Sequence, residues 1–238
     1  MHKRQISISF KTFLSLLICI PAWTLDLSSL DPNKNYIESG EKLMELKHGL
    51  NSLEAHEEQK NILVGVHGAD SRGFEWIYPL QTIDDIQTRT YFYRWDTSGC
   101  PQKSAASFRK DLLNLIKDSD IEKITLIGHS YGGILLSLLN IGWEGPKIEV
   151  HIVASPLGSK DLKRYCGFTH PKEKGEKIDY YQWRTRQELD NAFKDLDYDP
   201  QIIDFPDSQV VNLPKRYNGR RLGHLWSLGW VADNFKSN

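Results

Sequence analysis

Ile124-Thr125-Leu126-Ile127-Gly128-His129-Ser130-Tyr131-Gly132-Gly133-Ile134-Leu135-Leu136 is the stretch that decides how this chain folds. Its first four residues form a short apolar run suited to a strand buried on both faces, and Ile134 to Leu139 reads as a buried helix. Between them, Gly128-His129-Ser130-Tyr131-Gly132 spells G-x-S-x-G at a strand–turn–helix junction, the context in which that pattern carries meaning. The turn forces Ser130 into a cramped backbone conformation, and small residues two positions before and after it let strand and helix approach without Cβ clashes. The hydroxyl then projects above the sheet. The helix N-terminus beneath it favours negative charge, and the Tyr131 N–H points at a developing oxyanion. The competing reading is a glycine-rich turn that happens to contain a serine.

Outward from this junction the pattern alternates. Upstream, Leu43, Leu46, Leu50 and Leu53 share one helical face, with Glu41, Lys42 and Lys47 turned to water. Ile62-Leu63-Val64-Gly65-Val66 reads as a strand ending in His67-Gly68, followed by a helix around Phe74 to Leu80 and a second strand at Thr88 to Tyr93. A helix with Phe108, Leu112, Leu115 and Ile116 on one side leads into the third strand, at Ile124. Further strands are expected at Ile148 to Val153, Ile178 to Trp183 and Val210 to Leu213, and a last helix carries Leu225, Trp226, Trp230 and Phe235. Strands that are apolar nearly throughout, separated by helices, predict a doubly wound α/β fold: a mostly parallel six-stranded sheet with helices on both faces.

Length and composition agree with one domain. The chain has 238 residues, 39% of them apolar, with 17 glycines and 10 prolines, which excludes general disorder and collagen-like repeats. The formal charge of −1 leaves no footprint for nucleic acid. No apolar run reaches the roughly 18 residues of a spanning helix. Lys3, Arg4 and Lys11, the apolar run Phe13 to Ile20, then Pro21 and Ala22, describe a secretory leader over residues 1–22. The single domain is therefore expected over residues 23–238, in an exported protein, periplasmic or secreted. Loss of Cys19 with the leader leaves Cys100 and Cys166, either bridged or free.

The chain resembles the α/β-hydrolase family, especially its compact lipases and esterases, from about Asn61 to Phe235. The resemblance rests on Val66-His67-Gly68-Ala69, Gly128-His129-Ser130-Tyr131-Gly132-Gly133 and Gly223-His224. It implies that the residue after the His-Gly pair, Ala69, donates a second oxyanion N–H beside that of Tyr131. Its chain order is nucleophile, acid, histidine. A serine needs a base, and of eight histidines only His151, His170 and His224 follow Ser130. His151 lies within a strand and His170 comes too early to leave room for an acid, so His224 is the expected base. The acid belongs in the loop after the fifth strand. Glu188, Asp190, Asp195, Asp197 and Asp199 stand there, with Asp204 and Asp207 in reserve, and Asp190 in Leu189-Asp190-Asn191-Ala192-Phe193 best matches the lipase pattern.

Family caps are usually inserted after the fourth strand, where this chain has only Ala154 to Lys177, so the cap is expected to be minimal. Ser155-Pro156-Leu157-Gly158-Ser159 departs from a lipase turn that carries His after Pro. Phe74, Trp76, Trp95 and Tyr131 are candidates for an apolar pocket, or for core. Neither H-E-x-x-H nor C-x-x-C occurs, and dinucleotide and P-loop signatures are missing, so no metal or cofactor is expected. The reading is a serine hydrolase acting on a small-molecule or lipid ester, with Ser130, Asp190 and His224 catalytic and Ala69 and Tyr131 forming the oxyanion hole. An acyltransferase or amidase on the same groups, and a silent binding domain with the same fold, remain alternatives. Oligomeric state is left open.

Overall fold

The computed structural model describes residues 25–54, 59–117, 119–140, 143–205 and 207–235. The expected leader, residues 1–22, lies outside the described residues. In chain order the elements are α1 (Tyr36–Glu45), β1 (Gly49–Ser52), β2 (Asn61–Val66), α2 (Phe74–Ile83), β3 (Thr88–Arg94), α3 (Gln102–Ile116), β4 (Lys123–His129), α4 (Tyr131–Ser137), β5 (Ile148–Val153), α5 (Lys160–Cys166), β6 (Ile178–Arg184), β7 (Ser208–Asn212), β8 (Arg216–Tyr217), β9 (Arg220–Arg221) and α6 (Ser227–Asn234).

The main sheet has seven strands in the order β1-β3-β2-β4-β5-β6-β7. All neighbours are parallel except β1, which runs antiparallel on the edge against β3. Side chains alternate across it. Val64, Val66, Leu126 and Val150 face one core with Phe108 and Leu112 of α3 and Leu135 of α4. Leu63, Ile127, Val153 and Trp183 face the other, with Leu43 of α1, Trp76 and Leu80 of α2, and Leu228 and Val231 of α6. This period of two explains why the central strands are apolar nearly throughout: helices cover both faces.

The seventh strand corrects the six-strand expectation. Leu43, Leu46, Leu50 and Leu53 do not share a helix. Helix α1 ends at Glu45, Leu46 is extended, and Gly49 takes φ +115° as the chain turns into β1. Leu43 and Leu53 are nonetheless both buried in the same core, beneath α2. Their helical spacing arises because two different elements reach one apolar layer. A separate hairpin, β8–β9, turns through Asn218-Gly219, both at positive φ, as tight two-residue hairpin loops require.

Register fixes which loops meet at the C-terminal edge of the sheet. Val66 of β2 lies beside Gly128 of β4, and His129 of β4 lies beside Val153 of β5. The His67-Gly68 turn and the Ser130 turn therefore leave the sheet side by side. Cys100, before α3, is bonded to Cys166 at the end of α5, with Cα atoms 5.4 Å apart. Gln102 reinforces the join by donating to the Cys166 carbonyl at 2.7 Å. Among the described residues no helix is long and apolar enough to cross a membrane.

Candidate active site

Ser130 sits between β4 and α4 at φ +53° and ψ −118°. A non-glycine residue there is strained by its own Cβ, and such strain persists only where the surroundings enforce it. Here the enforcement is visible: the Ser130 N–H donates to the Val153 carbonyl at 2.9 Å, and its carbonyl accepts from Gly133 at 3.0 Å. A Cβ on Gly132 would lie 2.1 Å from the Val66 carbonyl oxygen, so only glycine lets α4 start this close to β2. A Cβ on Gly68 would lie 2.8 Å from the Ser130 Cβ. The turn after β2 is thus packed directly against the serine, and Ala69 follows it exposed to solvent.

The acid and base candidates come from two loops on the opposite side. Asp190 follows β6 in a short turn and is fully buried. Its Oδ2 accepts from His224 Nδ1 at 3.0 Å and from the Thr185 hydroxyl at 2.5 Å, and its Oδ1 accepts from the Ala192 N–H at 2.9 Å. A carboxylate so buried is tolerable because both its oxygens are bonded. Of the other candidates, Asp197 is exposed beside Lys160 and Asp199 accepts from the Gln201 N–H, and the reserve Asp207 accepts from the Lys174 N–H.

His224 lies between β9 and α6, and its imidazole is held on three sides. Asp190 bonds Nδ1, Phe193 meets the ring edge-on with centroids 5.2 Å apart, and the ring of His129 lies 4.6 Å away. His129 Nε2 also lies 3.1 Å from the His224 carbonyl, where it acts as donor, and the Ser227 hydroxyl donates to the same carbonyl at 2.5 Å. Burial holds His129 well below the ordinary histidine range, and the neighbouring His224 charge adds to this. His129 is therefore a neutral prop joining the serine turn to the histidine loop. The sequence does not single out His129, Thr185, Phe193 or Ser227, because the roles of His129 and Phe193 depend on His224, 95 and 31 positions away, and those of Thr185 and Ser227 on loop shape; the place of His129 inside G-x-S-x-G is the one signal.

His151 is buried on the sheet, stacked on Tyr181 at 4.5 Å and accepting from the Trp183 indole at 3.1 Å. His170 pairs through Nδ1 with the carbonyl of its neighbour Pro171. Of the aromatic candidates, Trp76 is fully buried core and Phe74 packs against Tyr36. Trp95 and Tyr131 stand together near the serine, ring centroids 5.1 Å apart, with the Tyr131 hydroxyl donating to the Gly99 carbonyl at 2.7 Å. Leu225 and Trp226, immediately after His224, are half-exposed apolar side chains in the turn before α6 and not within the last helix, where the sequence pattern puts them.

Between β5 and β6 the chain forms only α5, held by the disulfide. A cavity of about 280 Å³ opens beside the site, lined by His67, Gly68, Asp70, Arg94 and Trp95 among others. Another of about 350 Å³, at Lys123, Glu149 and Phe235, opens at the far end of the strands. A seven-residue strand separates the ends by roughly 20 Å, so that cavity is remote from Ser130.

No protein-family model matches the chain, and no curated protein matches it in sequence. Solved structures do match. Est1E from Butyrivibrio proteoclasticus superposes with a TM-score of 0.55 at 14% identity, over 79% of this chain and 90% of that one. The chain has the α/β-hydrolase fold. The same neighbour with ferulic acid bound gives a TM-score of 0.51 at 14% identity, over 79% and 91% of the two chains. The esterase domain of a Rhodothermus marinus protein gives 0.51 at 11% identity, over 79% and 89%. In α/β-hydrolase terms the seven-stranded parallel sheet with an antiparallel edge is the shared scaffold, and at these identities the fold is what is shared. Among the described residues no group of three or more His, Cys, Asp or Glu is placed to hold a metal ion.

Proposed function

We propose that this protein is a serine hydrolase that cleaves carboxylic esters through an acyl-enzyme. The observation that carries the reading is the bond between His224 Nδ1 and Asp190 Oδ2, on an imidazole packed against the residue preceding Ser130. The bond puts the proton on Nδ1 and leaves Nε2 free to accept one, as a base for a serine must.

In the proposed cycle His224 Nε2 takes the Ser130 proton as Oγ attacks the ester carbonyl. The N–H groups of Ala69 and Tyr131 receive the oxyanion, and Asp190 offsets the imidazolium charge. The tetrahedral intermediate expels the alcohol, which takes the proton from His224. Water, deprotonated by the same imidazole, then attacks the acyl-enzyme and releases acid and free Ser130. Hydrolysis is favoured over acyl transfer by the minimal cap: Ala69 is exposed and Ser130 only half-buried, so water has access. The names of the fold neighbours, Est1E and an esterase domain, agree with ester cleavage.

Labelling with a fluorophosphonate tests the nucleophile. Modification of the folded wild type at Ser130, absent in Ser130→Ala, is the expected result; a folded wild type left unmodified overturns the reading. Export is proposed with it, supported by the Cys100–Cys166 bridge, since disulfides persist in oxidising compartments. Mass spectrometry of protein from the native host, expected to show a mature N-terminus near residue 23, tests export.

A further inference from the structure

The cavity beside Gly68 is lined by a cation, Arg94, with no carboxylate partner among the described residues. Arg94, the last residue of β3, is partly buried, and among the described residues no carboxylate lies within 4.0 Å of its guanidinium. Its Nε is buried without a partner. Nη1 donates to His67 Nε2 at 2.9 Å. His67 cannot neutralise it: the imidazole accepts from Arg94 and from the Trp95 N–H, and burial lowers its pKa to about 4. The same desolvation acts on the guanidinium, pulling Arg94 below its ordinary value. A charge partly withdrawn from water and bonded to one neutral group is costly unless something else completes it.

We propose that Arg94 anchors a carboxylate of the substrate, so that the preferred esters are acidic ones bearing a free carboxylate a few atoms from the scissile carbonyl. The inference rests on the ester-hydrolase reading for its chemistry, though not for the binding. Three observations support it. Arg94 and Gly68 line the same cavity of about 280 Å³, and Gly68 is the residue whose Cβ would touch Ser130. The bound ligand is therefore within a small molecule's length of the hydroxyl. Bonding to His67 fixes the guanidinium plane, and a fixed planar fork suits a carboxylate better than a mobile ammonium does. The two carboxylates on the cavity wall, Asp70 and Asp96, are exposed, and Asp96 accepts from the Ser98 N–H at 2.9 Å. Neither comes within 4.0 Å of the Arg94 guanidinium, so neither quenches it.

Two measurements test this. In the first, kcat/KM is compared within two matched pairs: phenyl hydrogen glutarate against phenyl valerate, and 4-carboxyphenyl butyrate against phenyl butyrate. The wild type is expected to prefer the charged ester of at least one pair by about 10- to 100-fold, the worth of one charge-assisted pair. Arg94→Gln is expected to abolish that ratio and Arg94→Lys to restore part of it. In the second, glutarate and 4-hydroxybenzoate are titrated calorimetrically into Ser130→Ala with and without Arg94→Gln, and binding is expected only where Arg94 is present. No preference in either wild-type pair overturns the inference, as does binding of either anion that is indifferent to Arg94→Gln. If no ester is cleaved and an anion still binds through Arg94, the hydrolase reading fails and the anion site stands. If neither occurs, both fall.

Discussion

Replacing Asp190 by Asn separates the proposed catalytic role of that carboxyl from its structural one. Asn Oδ1 retains the Ala192 N–H, so Nδ2 takes the place of Oδ2, which now accepts from His224 Nδ1 and from the Thr185 hydroxyl. Both Nδ2 protons find acceptors there. The Thr185 hydroxyl turns its own proton to Gln201 Oε1, 3.0 Å away, and His224 Nδ1 becomes an acceptor. The fold therefore keeps its hydrogen bonds and exchanges charged for neutral ones, at a cost of about 1 kcal/mol, or a few degrees in Tm. The imidazole proton, however, is moved to Nε2, where it blocks abstraction from Ser130. A wrong tautomer of this kind lowers kcat by about 10⁴-fold in a serine–histidine–aspartate triad, close to 5 kcal/mol in the barrier. Turnover of p-nitrophenyl acetate, the rate of fluorophosphonate labelling and thermal unfolding are measured together on wild type and Asp190→Asn. Retention of more than a tenth of wild-type turnover, with Ser130 still required, refutes the argument that Asp190 sets the His224 tautomer.

Three further outcomes follow from the same geometry. Opening the Cys100–Cys166 bridge, which closes a 66-residue separation, is expected to cost about 4 kcal/mol by loop entropy, and equal denaturant midpoints for wild type and the double serine variant refute this. Gly68→Ala places a Cβ 2.8 Å from that of Ser130, so labelling of Ser130 is expected to slow by about 100-fold while the protein stays folded; an unchanged rate shows the turn to be yielding. His67 has its pKa lowered to about 4, chiefly by burial, so between about pH 6.5 and 4 the unfolded chain binds a proton that the native state refuses. Stability is unaffected above that window and falls through it as pH drops, by about 3 kcal/mol for this one group. Urea unfolding at pH 7.5 and pH 4 is expected to show a loss smaller by that amount in His67→Gln, and identical slopes in the two proteins contradict it.

Much of the scaffold was legible because its signals are local. Apolar runs such as Ile124 to Ile127 and Ile148 to Val153 can satisfy their backbones and bury their side chains only as strands covered on both faces. The stretch Gly128 to Gly132 likewise determines its own strained turn, since the clash that a Cβ would make at Gly132 lies within one packed strand–helix unit. What escaped was whatever depends on contacts distant in sequence. Leu43 and Leu53 carry helical spacing, and only the shared core beneath α2 reveals that one belongs to a helix and the other follows an edge strand. Among several carboxylates after β6, sequence could rank Asp190 first, but only the folded loops bring its Oδ2 to His224 Nδ1. His129 as a prop, and Arg94 without a carboxylate partner among the described residues, are purely tertiary: each follows from which neutral or charged groups surround a side chain in the folded chain, and no spacing rule encodes that.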